Sequence, residues 1–275
     1  MTLVINCLTQ KYLFQVSDRR LVRLHDLEVV EDKTIKNVFY CGHWAFSYTG
    51  LAEIQGKGTD DWLIDALPSP SKDWVEIIRE KATEAFRKVN FPSSMKRHAF
   101  VAVGWISLDK DGPRFPTLVL VSNFHSPRGE VLGVTADEFS VSVTTLPQNM
   151  PCAIKSVGQP MAQSVVDKLG KNIMRCLKKG TGPTGILRLL VIAMRETAQS
   201  NPAVGKNMLA LSLPRESAGK PVMAYDGTAD DKLNSFLCIN EDSSDFSMNP
   251  PHVKCGGVIA HNTFDLHIYP DPRRL

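Results

Sequence analysis

The residues of this chain best suited to do chemistry stand at its beginning. Thr2-Leu-Val-Ile-Asn-Cys-Leu8 and Tyr12-Leu-Phe-Gln-Val-Ser-Asp18-Arg19-Arg20 read as two short strands joined by the turn Thr9-Gln10-Lys11. A strand beginning this close to the first residue is unusual, because chain ends are normally loose. Thr2 is small enough for cytosolic processing to remove Met1 and leave a free threonine amine. An N-terminal threonine can attack a carbonyl with its own α-amine as base. The plainer reading is that Thr2 opens an edge strand. Arg19 and Arg20 then end the next strand, solvated or paired with a loop acid such as Asp26.

Other motifs carry less. Gly180-Thr-Gly182-Pro-Thr-Gly185 has the text of a dinucleotide fingerprint, but that motif must follow a strand in a βαβ unit. Here it follows a helical segment and reads as a helix–helix loop. Gly56-Lys-Gly58-Thr59 lacks phosphate-loop spacing. Cys238, His252, Cys255, His261 and His267 have no zinc-module spacing, and no Gly-x-Ser-x-Gly elbow occurs. His25 and His43 are treated as structural. No cofactor or metal is expected.

Composition excludes several classes. Net charge is +3, with Lys and Arg interspersed among Asp and Glu, so no basic face points to nucleic acid. No apolar run approaches the roughly 18 residues that span a bilayer, and the first residues do not read as a signal peptide. The six cysteines are scattered without a CxxC pair, which suits reduced thiols and a cytoplasmic location. Hydrophobic residues make up 43% of the chain, enough to build a substantial core.

The elements follow from periodicity. After a charged loop or hairpin over 21–33, Ile35–Cys41 and His43–Thr49 predict two more strands turned at Gly42, completing a four-strand meander. Gly50–Ile54 reads as one helical turn. Thr59 is expected to cap a helix over 60–67, and Trp74, Ile77, Ile78, Ala82, Ala85 and Phe86 mark the apolar face of a second over 72–89. Strands return over 98–107 and 116–122, with Asp111-Gly112 as the turn, then over 138–145 and 152–157. A second helix pair covers 160–179 and 185–200, with Thr184 as cap, and Asn207–Leu213 is the closing strand. The order sheet, helix pair, sheet, helix pair, strand is α+β. Its simplest packing is a four-layer αββα sandwich of two antiparallel sheets flanked by helix pairs. Residues 1–214 are expected to form this domain. Residues 215–275 are expected to be a C-terminal extension with short strands packed on it, with 241–251 as loop.

At this point the chain resembles the N-terminal-nucleophile (Ntn) hydrolases, among them the proteasome β subunits and the peptidase subunit of the bacterial two-component ATP-dependent protease. The resemblance spans roughly residues 2–213. It rests on element order and on local matches: Thr2 on the first strand, Asp18-x-Arg20 sixteen positions on, Ile35-Lys36-Asn37-Val38, Gly50 after Tyr48-Thr49, and Ser156-Val157-Gly158 before the third helix. It implies that Thr2 attacks an acyl carbonyl, a lysine lowers the amine pKa, an Asp holds that lysine, and the Gly50 N–H stabilises the oxyanion. It also places Arg20 near the site and Arg19 away. By motif the family's lysine falls on Asn37, with Lys36 adjacent and therefore on the opposite strand face; Lys33 lies in the neighbouring loop. Asn201 and Val204 occupy the places of the family's Asp and Ser. The candidate site is therefore Thr2, Asp18, Arg20, Lys36 and Gly50. The expected function is a threonine peptidase or amidohydrolase acting on a peptide or amide, or else a catalytically inactive structural or binding subunit of the same fold. A homo-oligomer is among the expected partners; nucleic acid and membrane are not.

Overall fold

Strand β1 (Leu3–Thr9) is buried along its whole length, and β2 (Tyr12–Asp18) nearly so. Their alternation decides where each face goes. Leu3, Ile5, Cys7, Phe14 and Val16 pack towards helices, whereas Leu8 and Leu13 pack towards a second sheet. Only a strand covered on both faces needs apolar residues in both registers. The computed structural model describes residues 2–23, 26, 28–31, 34, 36–40, 44–67, 73–107 and 112–215, and beyond these the backbone of five further strands. Leu24, His25, Leu27, Lys33, Cys41–His43 and the turn at Asp111 lie outside the described residues, as does the loop over 241–251.

A small pair, half-buried β3 (Leu21–Val22) and exposed β4 (Val29–Glu31), follows β2 as a separate two-stranded sheet. Next come β5 (Asn37–Tyr40) and β6 (Trp44–Thr49). The first strands do not form one meander: β1 and β2 belong to one sheet, β5 and β6 to the other. Nor does a helical turn follow Gly50. That stretch forms the hairpin β7 (Glu53–Ile54) and β8 (Lys57–Gly58). Its central residues Gln55 and Gly56 have φ of 53° and 76°, the backbone a two-residue type I′ turn needs.

Helices α1 (Thr59–Ala66) and α2 (Trp74–Arg87) come next. Thr59 does not cap α1; Gly58 is the N-cap, and the Thr59 hydroxyl instead donates to the Leu51 carbonyl at 2.8 Å. Strands β9 (Ala99–Ser107), β10 (Arg114–Ser122), β11 (Ser140–Thr145) and β12 (Cys152–Gly158) precede α3 (Gln163–Lys178) and α4 (Pro183–Ser200). Pro183 occupies the first position of α4 and Gly182 is its N-cap, so Thr184 is not the cap. Proline suits that position because its missing N–H would be unpaired there anyway. The connection between α3 and α4 is therefore only residues 179–182, and Pro183, Thr184 and Gly185 of the glycine-rich stretch already form the first turn of α4. β13 (Met208–Pro214) closes the central core.

Beyond it, β14 (Met223–Gly227), β15 (Phe236–Asn240), β16 (His252–Cys255), β17 (Val258–Ala260) and β18 (Asp265–Tyr269) complete the order. One sheet runs β12-β1-β2-β13-β14-β15-β18, the other β11-β10-β9-β6-β5-β16-β17. β16 pairs with β5 in parallel, the exception in otherwise antiparallel sheets.

Three apolar layers hold the sandwich. Leu3, Ile5, Phe14 and Val16 pack with Leu169, Ile173, Leu187, Leu190 and Val191 of α3 and α4. Val38, Phe46 and Tyr48 pack with Leu63, Trp74, Ile78 and Phe86 of α1 and α2. Leu13, Ala45, Val101, Val103, Leu120, Leu209 and Leu211 meet between the sheets. The architecture is αββα. No helix among the described residues is long and apolar enough to cross a membrane.

Candidate active site

Thr2 sits at the mouth of β1, 3% exposed, and its backbone is held from two sides. Its carbonyl accepts the Thr49 hydroxyl at 2.8 Å and the Gln159 N–H at 3.1 Å. The β1–β12 ladder sets Gly158 opposite Leu3. A Cβ on Gly158 would lie 2.0 Å from the Thr2 carbonyl oxygen, and Gly158 has φ +97°. Only glycine fits at that contact. Gly158, the last residue of β12, thus belongs to the support of Thr2, and Ser156 lies two residues before it in the same strand.

Asp18 ends β2 beside this point. Its Oδ2 accepts the Leu3 N–H at 2.7 Å, and its Oδ1 accepts the Arg20 N–H at 2.9 Å. The carboxylate is fully buried, and so is the Lys36 ammonium, 3.2 Å from Oδ1. Lys36 also donates to the Arg20 carbonyl at 2.5 Å and to the Thr2 hydroxyl oxygen at 2.6 Å. An ammonium has three N–H donors and no acceptor, and each of these three contacts is to an oxygen. The buried charge is paired and hydrogen-bonded, which is what makes such a burial tolerable.

Lys36, not Asn37, therefore lies at Thr2, one residue away from the motif alignment. Alternation itself holds. Asn37 turns to the opposite side, where its amide donates to Gln15 Oε1 at 3.1 Å and its carbonyl accepts the Ser17 hydroxyl. Gln15 in turn donates to Asn6 Oδ1 at 3.0 Å and to the Val101 carbonyl at 3.3 Å. This buried polar chain lies next to the Asp18 and Lys36 pair in sequence and fixes how β2 faces β5.

Gly50 stands where β6 ends, with φ +124°. A Cβ there would meet the Arg97 carbonyl at 2.3 Å and His98 Nδ1 at 2.6 Å. With no helix opening at Gly50, its environment is that turn and the strand beside it. Thr2, Arg20, Val22, Gly50, Lys88 and Phe91 are among the residues lining a cleft of about 560 Å³. Exposed Val30 and Phe91 give its rim apolar surface. Arg20 Nη1 donates to the Pro202 carbonyl at 3.0 Å. Arg19 is buried, and its N–H donates to the Asn207 carbonyl at 3.0 Å. Asp26 pairs with Arg23 at 3.1 Å.

The two positions aligned with the family's Asp and Ser are filled differently. Asn201 donates to Gln159 Oε1 at 3.0 Å and accepts the Ala203 N–H at 3.0 Å. Val204 is buried in the core against α4. No cluster of metal-ligating side chains occurs among the described residues. The side chains of Cys238, His252, Cys255, His261 and His267 lie outside them.

Solved structures share the fold of this chain. The chain matches the Anbu (Gly-1) mutant from Hyphomicrobium sp. strain MC1 at a TM-score of 0.52 and 14% identity, over 84% of this chain and 89% of that one. It matches Anbu (ancestral beta-subunit) from Yersinia bercovieri at 0.52 and 14%, over 83% and 88%. The fold is that of the proteasome-like Ntn hydrolases. No protein-family model and no curated protein matches the chain. At such identity the likeness is one of fold. Thr49, Gln159 and His98 were not singled out from sequence, because each reaches Thr2 or Gly50 across a strand pair or from another element.

Proposed function

We propose that the chain is a threonine-type Ntn amidohydrolase or peptidase with Thr2 as nucleophile once Met1 is removed. The observation that carries this reading is the Lys36 ammonium, 2.6 Å from the Thr2 hydroxyl and backed by buried Asp18. A buried cation donating to a hydroxyl favours the ionised oxygen and, by like-charge repulsion, lowers the pKa of a nearby amine. In the proposed reaction the Thr2 hydroxyl loses its proton to the freed α-amine, and its oxygen attacks the acyl carbonyl. The Gly50 N–H stabilises the resulting oxyanion. Collapse of that intermediate breaks the C–N bond, the leaving amine takes the proton, and an ester remains on Thr2. Water, deprotonated by the same amine, then hydrolyses the ester.

Asp18 acts here as the counter-charge to Lys36, and it also accepts the Leu3 N–H next to Thr2. Arg20 contributes its carbonyl to Lys36 and its side chain to the cleft wall. A peptide or amide substrate, self-association and a cytosolic location belong to the same proposal. What favours the inactive-subunit alternative is Val204, an apolar residue where the family carries a polar partner of the threonine amine. Intact-mass spectrometry of the native protein tests the first step. Loss of Met1 is expected, and a retained, unmodified Met1 contradicts a catalytic Thr2.

A further inference from the structure

We propose that His98 is a positioning residue for the oxyanion site, holding the Gly50–Leu51 turn so that the Gly50 N–H, and not that of Leu51, serves the reaction at Thr2. The inference rests on the Thr2 reading above and adds to it a residue from a different element.

His98 Nδ1 accepts the Leu51 N–H at 3.1 Å. That N–H is thereby occupied by the ring and is not available to a substrate oxygen. The ring lies directly under Gly50: a Cβ there would sit 2.6 Å from Nδ1 and 2.8 Å from the His98 Cα. His98 is itself immobilised. Its N–H donates to Asn123 Oδ1 at 2.9 Å, and its carbonyl accepts from the Asn123 N–H and the Ser122 hydroxyl, both at 3.2 Å. The ring stacks on Tyr48 at 5.9 Å and packs on Phe86 and Phe100 at 5.0 and 4.6 Å. Phe86 lies on α2, whose last turn contributes Ala85 to the cleft wall. His98 therefore joins the turn carrying Gly50 to the helix that borders the cleft.

The chemistry of the site argues against packing as the whole reason for a histidine. The ring is fully buried among aromatic residues, and its Nε2 has no hydrogen-bond partner among the described residues. A buried unpaired N–H is costly, and phenylalanine would fill the same box without that cost. What phenylalanine lacks is an acceptor for Leu51. Burial also holds the ring's pKa far below its ordinary value, at about 3, so Nδ1 stays an acceptor at neutral pH.

The test follows covalent labelling of the full chain by a peptide epoxyketone, read by intact mass as a time course that separates the limiting rate from the binding constant. His98→Phe is expected to lower the limiting rate by about tenfold to a hundredfold, the range a small misplacement costs, with the binding constant unchanged. His98→Asn, whose Oδ1 accepts near the place of Nδ1, is expected to recover most of that rate. A His98→Phe protein that labels at the wild-type rate overturns the proposal. So does a His98→Asn protein as slow as His98→Phe, because packing alone then explains the residue. If His98→Phe does not fold, His98→Leu against His98→Asn decides on the same terms. Hydrogen exchange at the Leu51 amide is the second measurement. Protection in the wild type that His98→Asn keeps and His98→Phe or Leu loses supports the proposal, and protection indifferent to His98 overturns it. Failure of the wild type to label at all counts against the Thr2 reading, while Leu51 exchange still judges the hydrogen bond.

Discussion

The ammonium of Lys36 and the hydroxyl oxygen of Thr2 lie 2.6 Å apart in a site where both residues are buried. Thirty-four positions separate them in the chain, and only the packing of the two sheets brings them together. Asp18 completes the arrangement by binding both the Lys36 ammonium and the Leu3 N–H.

Breaking that arrangement affects stability as well as chemistry. Lys36→Met leaves the Asp18 carboxylate buried without its cation, a change expected to cost about 3–5 kcal/mol of unfolding free energy. Denaturant unfolding of the single variant and of Lys36→Met with Asp18→Asn checks this. The double variant is expected to be more stable than the single one, because no uncompensated charge remains, and neither is expected to label at Thr2.

Gly50→Ala places a methyl group 2.3 Å from the Arg97 carbonyl at φ +124°. Something must shift, and the strain of such backbone is about 1–3 kcal/mol before any clash is counted. A melting temperature several degrees lower and loss of labelling at Thr2 are expected together. Wild-type stability in this variant would mean that the turn is not held as described.

Asn37→Leu tests the polar chain between the sheets. It leaves the Ser17 hydroxyl and the Gln15 carbonyl oxygen without their partner, at about 1–3 kcal/mol for each buried group stranded. Urea unfolding measures the loss. Labelling at Thr2 is expected to slow as well, since Ser17 and Asn37 are the chain neighbours of Asp18 and Lys36.

These residues also show what the sequence could and could not convey. The alternation of Leu3, Ile5 and Cys7 against Leu8, with the apolar stripes of α2 and α3, is enough to place two sheets between two helix layers. Thr2, Asp18 and Gly50 could be picked out as candidates because their spacing follows the element order. Lys36 was harder. The motif alignment set the lysine position one residue late, at Asn37, and a one-residue slip sends a side chain to the opposite face. The hairpin after Gly50 was missed because Gln55, a non-glycine residue, takes positive φ there. Gln159, Thr49 and His98 depend on pairings far apart in sequence, which local propensity does not encode.

Acid should weaken the fold through His98. Its pKa is about 3 in the native state because burial disfavours the imidazolium, against about 6.5 in the unfolded chain. The folded value is depressed, so this contribution is fully present above about pH 6.5 and is lost as the pH falls towards 3. The expected slope in that window is about 1.4 kcal/mol per pH unit from this residue. Urea unfolding at pH 7 and pH 5 is expected to show a smaller pH difference in His98→Asn than in the wild type. Equal differences would place the titration elsewhere.

The central claim is that Thr2 is the nucleophile, and intact-mass analysis after exposure to a peptide epoxyketone tests it most directly. The account predicts a wild-type protein that has lost Met1 and gains one adduct mapped to Thr2, with no adduct on Thr2→Ala. An adduct that persists in Thr2→Ala, or a wild type that keeps Met1 and stays unlabelled, would contradict it.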